Sequence, residues 1–192
     1  MARRLIGAKF FIMIFHWLSL IVLSIAVSAV PARAEPTALS DTNIQAISAM
    51  TPLTAAAVPS IKGKPIVVSF FASWCPPCTD EFRQLNRLRA RFPEPDLTIL
   101  ALNIFEGHFE KNRAHRMKRF LNRTAPTFPI LAGMDDDALS ALFGGVERIP
   151  SVYVFDKHGK PAFSFIHALN ATKRHATFEE LEKAVAPLVA AP

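Results

Sequence analysis

The segment Trp74-Cys75-Pro76-Pro77-Cys78 constrains this chain more than any other, because it holds the only two cysteines, three residues apart. The apolar run Ile66-Val67-Val68-Ser69-Phe70-Phe71 precedes it, after the turn signal Gly63-Lys64-Pro65, and an amphipathic stretch follows. The run reads as a central strand, and helix is expected from about Pro76 to Phe92. Prolines suit a first helical turn, whose N–H groups have no intrahelical partner. A C-x-x-C can be a redox pair or half a metal site. Structural zinc needs two more thiolate or imidazole ligands, and the sequence has no second C-x-x-C and no H-x-x-x-H. Strand before, helix after and no further cysteine favour the redox pair. A thiol at a helix start feels the positive end of the dipole, which favours thiolate. Cys75 should therefore be the more exposed attacking thiol. Cys78, one turn in on the same face, should resolve the mixed disulfide.

Glu81 is the second informative residue. Positions 78, 81, 85, 88 and 92 form one helix stripe, occupied by Cys78, Glu81, Leu85, Leu88 and Phe92. A carboxyl among core residues is costly unless it has a task. Burial should raise its pKa and make it a proton acceptor and donor for Cys78. Asp80, on the exposed side near Arg83, reads as an ordinary surface acid. Pro150, in Arg148-Ile149-Pro150-Ser151, opens a strand. It is either a plain strand-start proline or a cis bond that brings the Ile149 backbone to the cysteine pair for strand-like pairing with substrate. His108 and His115 lie seven apart, whereas metal-binding helix pairs prefer four, so they read as solvated polar positions. No metal or cofactor is called for.

The front of the chain is a leader. Arg3, Arg4 and Lys9 precede an uncharged run from Phe10 to Val30, and Ala32-Arg33-Ala34 is a small-x-small cleavage pattern. Cleavage after Ala34 is one outcome. The run is also long enough to span a bilayer, so an uncleaved anchor through residues 10–30 competes with it. Either way the folded part leaves the cytoplasm. Without residues 1–34 the balance is 18 basic against 16 acidic residues. The basic pI is thus largely a targeting feature, and a nucleic-acid partner loses its support. An exported domain with a single closely spaced pair is not a disulfide scaffold, so the pair is used rather than merely formed.

Residues 35–59 read as a tether or N-terminal extension with a short helix or strand. Beyond the C-x-x-C helix, a strand is expected at 97–102 and a helix at 107–122. That helix has a basic surface (Lys111, Arg113, Arg116, Lys118, Arg119) and an apolar stripe of Phe109, Met117, Phe120 and Leu121. A short strand follows at 128–131, then a helix at 138–143 behind Asp135-Asp136-Asp137. A hairpin joins 152–155 to 162–166 through Asp156-Lys157-His158-Gly159. A last helix is capped by Thr177 with Glu180 completing a capping box. Strand–helix–strand crossovers imply parallel neighbours and the hairpin adds antiparallel ones, giving an α/β fold with a mixed central sheet flanked by helices.

Phe71-Ala72-Ser73-Trp74-Cys75-Pro76-Pro77-Cys78, Glu81, Phe128-Pro129-Ile130-Leu131, Gly145-Val146 and Ile149-Pro150-Ser151 through Gly159 together resemble the exported thioredoxin-like proteins of the TlpA/ResA/DsbE group. The resemblance covers roughly residues 60–190. It implies a thioredoxin-like fold over 60–192, with the basic helix as the group's central insertion. It also implies that Pro150 is the cis-proline and Glu81 the active-site carboxyl, with Trp74 and Ile149 beside the substrate. The implied activity is reduction of client disulfides, either apocytochrome c haem-attachment cysteines or copper-site cysteines. The implied electron donor is a membrane protein of the DsbD/CcdA kind. Two departures stand out: Arg83 replaces the usual proline two residues after the glutamate, and Ser151 replaces the usual threonine. A thiol oxidase, and a non-enzymatic copper- or haem-binding module using the two thiols, are the rival readings.

Overall fold

In the computed structural model, residues 37–54, 58, 60–109 and 111–190 are described. The leader at 1–34 lies outside them. Six strands form one sheet in the order β1-β4-β3-β2-β5-β6. They are β1 (Thr51–Pro52), β2 (Ile66–Phe71), β3 (Thr98–Asn103), β4 (Ile130–Ala132), β5 (Ser151–Phe155) and β6 (Pro161–Ile166). β2, β3 and β4 run parallel, β5 runs antiparallel to β2, and β6 closes the hairpin. Among the described residues the helices are α1 (Asp41–Ser48), α2 (Pro76–Arg91), α3 (Arg113–Thr124), α4 (Asp136–Leu142) and α5 (Phe178–Ala190).

The strands that read as continuous apolar runs are buried on both faces. All residues of β2, β3 and β5 are inside, whereas β6, at the edge, alternates. Aromatic rings fill one side of the sheet: Phe71, Phe82, Phe120 and Phe128 pack with centroids 4.8–5.4 Å apart. Phe70, Phe143, Tyr153 and Phe155 form a second ring cluster. Such contacts add about 0.5–1.5 kcal/mol per pair beyond area burial. The expected capping box on α5 is present: Glu180 Oε2 accepts from the Thr177 N–H (3.0 Å) and Thr177 Oγ1 from the Glu180 N–H (3.4 Å).

The segment expected as a tether or extension packs on the domain over its described residues. Ile47 of α1 is fully buried, and β1 pairs antiparallel with β4. The Leu39 N–H donates to the Gly159 carbonyl at 2.8 Å. Gly159 has φ +79°, and a Cβ there would sit 2.3 Å from the Leu39 oxygen, so the hairpin turn and the extension both require glycine.

One element differs from the sequence expectation. The helix expected at 107–122 begins only at Arg113, after a single 3-10 turn at Glu106–His108. Phe105 (φ 59°) and Asn112 (φ 60°) are left-handed and break the helical path on either side of that turn. Phe109 consequently leaves the packed stripe. It is 51% exposed and lies against Trp74 (5.3 Å between centroids), while Phe120 is buried.

Candidate active site

β2 ends at Phe71, and the loop Ala72-Ser73-Trp74 delivers Cys75 to the N-cap of α2. Cys75 and Cys78 are joined as a disulfide with Cα atoms 5.4 Å apart. The Cys78 N–H points at Cys75 Sγ from 3.3 Å. A sulfur that already accepts from the orphan donors of a helix start is a sulfur placed to be stabilised as thiolate. Cys75 keeps 3% exposure and Cys78 none, the order expected of an attacking and a resolving thiol.

Glu81 lies one turn beyond Cys78, with no exposure at all. The whole stripe Cys78, Glu81, Leu85, Leu88 and Phe92 is buried. Ser69 Oγ, on β2, donates to the carboxyl, reaching Oε1 at 2.7 Å. Oε2 has no hydrogen-bond partner. The Ala176 backbone also favours the anion, less than Ser69 does. Burial outweighs these contacts and pushes the pKa from 4.5 up to about 8. The group therefore holds a proton at neutral pH and can release it just above.

The Ile149–Pro150 peptide bond is cis. Ser151 Oγ donates to the Arg148 carbonyl at 2.7 Å, and the Pro150 carbonyl accepts from the His167 N–H at 3.1 Å. The loop is thus tied at both ends. Ile149 shares with Trp74 and Cys75 a cleft of about 520 Å³, which Phe105, His108, Arg148, His167 and the 70% exposed Leu169 also line. Burial, then Arg174 and Arg148, hold the His167 imidazole below its ordinary pKa. Among the described residues no cluster of three metal-ligating side chains occurs, and His115 is not part of the cleft. Asp80 pairs with Arg83 on the exposed side of α2, which runs unbroken through the position where the resembling group has proline.

Sequence reasoning missed Glu106. Its buried carboxylate accepts from the Ser73 N–H (2.8 Å), from Ser73 Oγ, and from Asn103 Nδ2 (3.0 Å). The Arg116 guanidinium stands 3.8 Å away. Next to it, the Phe105 carbonyl accepts from Trp74 Nε1 at 2.8 Å, and Asp136 accepts from the Phe105 N–H at 2.8 Å. The 3-10 turn is therefore a clamp on the loop that carries Cys75. The sequence signal was Asn103 three residues before an acid at the end of a buried strand, which periodicity does not register.

A strand that hands a C-x-x-C to a helix N-terminus, opposite a cis-proline loop on the next strand of the sheet, defines the thioredoxin-like class. Within that class the chain belongs to the Redoxin family, whose model matches residues 38–185. It is 31% identical over 99 residues to thiol-disulfide oxidoreductase ResA of Geobacillus thermodenitrificans, covering 52% of each chain. The ResA of Geobacillus kaustophilus is 29% identical over the same share. The chain thus spans about half the length of the curated relatives it matches. Among solved structures it resembles DsbF of Mycobacterium tuberculosis at 26% identity and TM-score 0.51, over 67% of this chain and 83% of that one. StoA of Bacillus subtilis, at 18% identity and TM-score 0.53, covers 80% and 98% and shares the fold.

Proposed function

We propose that this chain is an exported thiol–disulfide oxidoreductase that reduces cysteine pairs in client proteins. The observation that carries the reading is the buried, proton-holding Glu81 one turn from the resolving Cys78. In the reduced protein the Cys75 thiolate attacks a client disulfide. A Cys75–client mixed disulfide forms, and one client thiolate leaves and takes a proton from solvent. Cys78 then gives its proton to Glu81 in its ionised form, whose share grows as pH approaches about 8, and attacks Cys75 Sγ. This forms the Cys75–Cys78 disulfide and releases the second client sulfur as a thiolate, which takes a proton from solvent. Two electrons pass from the dithiol to the client, and a dithiol donor must return them. Ile149, before the cis-proline, is placed to pair with the client backbone, and Trp74 covers one side of the sulfurs.

The name of the ResA relatives supports the oxidoreductase class. The leader at 1–34 supports export, either as a soluble domain after cleavage at Ala34 or held at the membrane by residues 10–30. Haem-attachment cysteines of apocytochrome c or copper-site cysteines are the clients, and a membrane donor of the DsbD/CcdA kind recharges the pair. The test is trapping in the native host. Cys78→Ala should hold the client as a mixed disulfide on Cys75, and Cys75→Ala should hold nothing. A reduction potential near about −270 mV supports the reductase, and one near about −120 mV makes the protein an oxidant.

A further inference from the structure

Several cations elsewhere on the domain are matched. Arg87 and Arg91 of α2 reach Glu179 and Glu182 of α5, Lys64 reaches Glu94, Lys62 reaches Asp41 and Lys173 reaches Glu180. α3 is different. From Lys111 to Thr124 it has no acidic residue, and Lys118, Arg119 and Arg123 are exposed. Among the described residues none of these three has an ion-pair partner, and only Arg116 meets a carboxylate, that of Glu106. In a chain almost balanced in charge outside its leader, α3 therefore carries a run of positive charge with no acid of its own.

The position of that helix gives the charge a use. Arg123 Nη2 donates to Thr79 Oγ1 at 3.0 Å, which brings the end of α3 to the first turn of the redox helix. A cavity of about 420 Å³ there is lined by Ser73, Trp74, Cys75, Pro76, Thr79, Asp80, Arg83 and Arg123. Asp80 is taken up by Arg83, which leaves Arg123 as the unmatched charge in that cavity. Across Cys75, Arg148 lines the cleft, and both it and the exposed Arg174 act on His167 there; Glu147 is the acid on that side.

We propose that the exposed face of α3, with Arg123 beside Cys75, docks an acidic stretch of the protein whose cysteine exchanges with Cys75. The inference rests on the exchange reading above and adds the chemistry of the partner. What meets Arg123 enters the cavity that Cys75 lines, and what Cys75 exchanges with is a protein disulfide or dithiol, which selects a protein segment over a lipid surface. Opposite charge across such a contact raises the encounter rate and fixes the register of the cysteine more than it tightens the complex.

The test uses the full chain in its dithiol form and three disulfide-bonded peptides of one sequence, with Asp/Glu, Asn/Gln or Lys/Arg flanking the cysteines. Rates are measured at about 20 mM and about 300 mM salt, either side of the concentration at which screening reaches about 10 Å. The acidic peptide should react on the order of tenfold faster than the neutral one at low salt, and the ratio should fall towards one at high salt. Lys118→Gln with Arg119→Gln should reduce the ratio, and Lys118→Glu with Arg119→Glu should bring it to one or below. Because each ratio is taken within one variant, a general loss of activity cancels. Equal rates for all three peptides, or a ratio that survives charge reversal, overturn the proposal. Charge-dependent binding to phosphatidylglycerol vesicles without any peptide preference also overturns it, in favour of a lipid surface. No exchange with any peptide would instead refute the oxidoreductase reading itself.

Discussion

Two buried carboxyl groups flank the cysteine pair, and they are solvated by the protein in opposite ways. Glu106, on the loop after β3, collects donors from the Ser73 backbone, the Ser73 hydroxyl and Asn103, with Arg116 nearby. Glu81, in the middle of α2, has the Ser69 hydroxyl and an oxygen with no partner. A carboxylate given several donors is a fixed acceptor that holds a loop in place. One given a single donor in a dry core is costly as an anion, and so becomes a group that gains and loses a proton. Full burial with one donor makes Glu81 a proton carrier, and several donors make Glu106 a clamp.

Substitution at the two positions should separate them in the same sense. Glu81→Gln keeps the shape and the Ser69 contact but carries no proton, so exchange should slow by about 100-fold at the resolving step, and an inflection in the pH–rate profile near 8 should vanish. Stopped-flow measurement of mixed-disulfide resolution checks it. The same variant has a stability signature. An acid whose folded pKa is raised binds its proton more tightly when folded. Its contribution is therefore full below about pH 4.5 and is lost as pH rises through about 8. Up to about 5 kcal/mol should disappear across that window in the parent, and Glu81→Gln should flatten the curve in denaturant titrations.

Glu106→Gln should act on position instead of protonation. With Ser73 held less firmly and Arg116 without its carboxylate, attack by Cys75 should slow by about tenfold. The inflection near 8 should stay where it is, and Trp74 fluorescence should change because its Nε1 donates to the neighbouring Phe105 carbonyl. A moved inflection in this variant would break the distinction between the two groups. Ser69→Ala should give the smallest effect. It removes the one contact that most favours the Glu81 anion, so the inflection should move upward, at a stability cost of about 1 kcal/mol.

The two carboxyls were also unequally legible in the sequence. Glu81 stood out because α2 is regular, and an acid on a stripe with Cys78, Leu85 and Leu88 violates a period that can be counted. Glu106 sits in a turn held by left-handed Phe105 and by side chains from two other strand ends, and no local pattern encodes that. Left-handed Phe105 and Asn112 also hid the late start of α3. The central strands were legible because burial on both faces leaves an unbroken apolar run. The packing of α1 and β1 was not, because it depends on single contacts such as Leu39 to Gly159 and Asn43 to the Leu142 carbonyl. The cis bond at Pro150 was undecided from the residues and came only with the family resemblance.

The account stands most directly on the proton held by Glu81. Carbon-13 NMR titration of the Glu81 carboxyl in the disulfide form should show ionisation near 8, in the same range as the inflection in the exchange rate. A carboxyl that titrates in the ordinary range near 4.5, with an exchange profile indifferent to Glu81→Gln, would contradict the account.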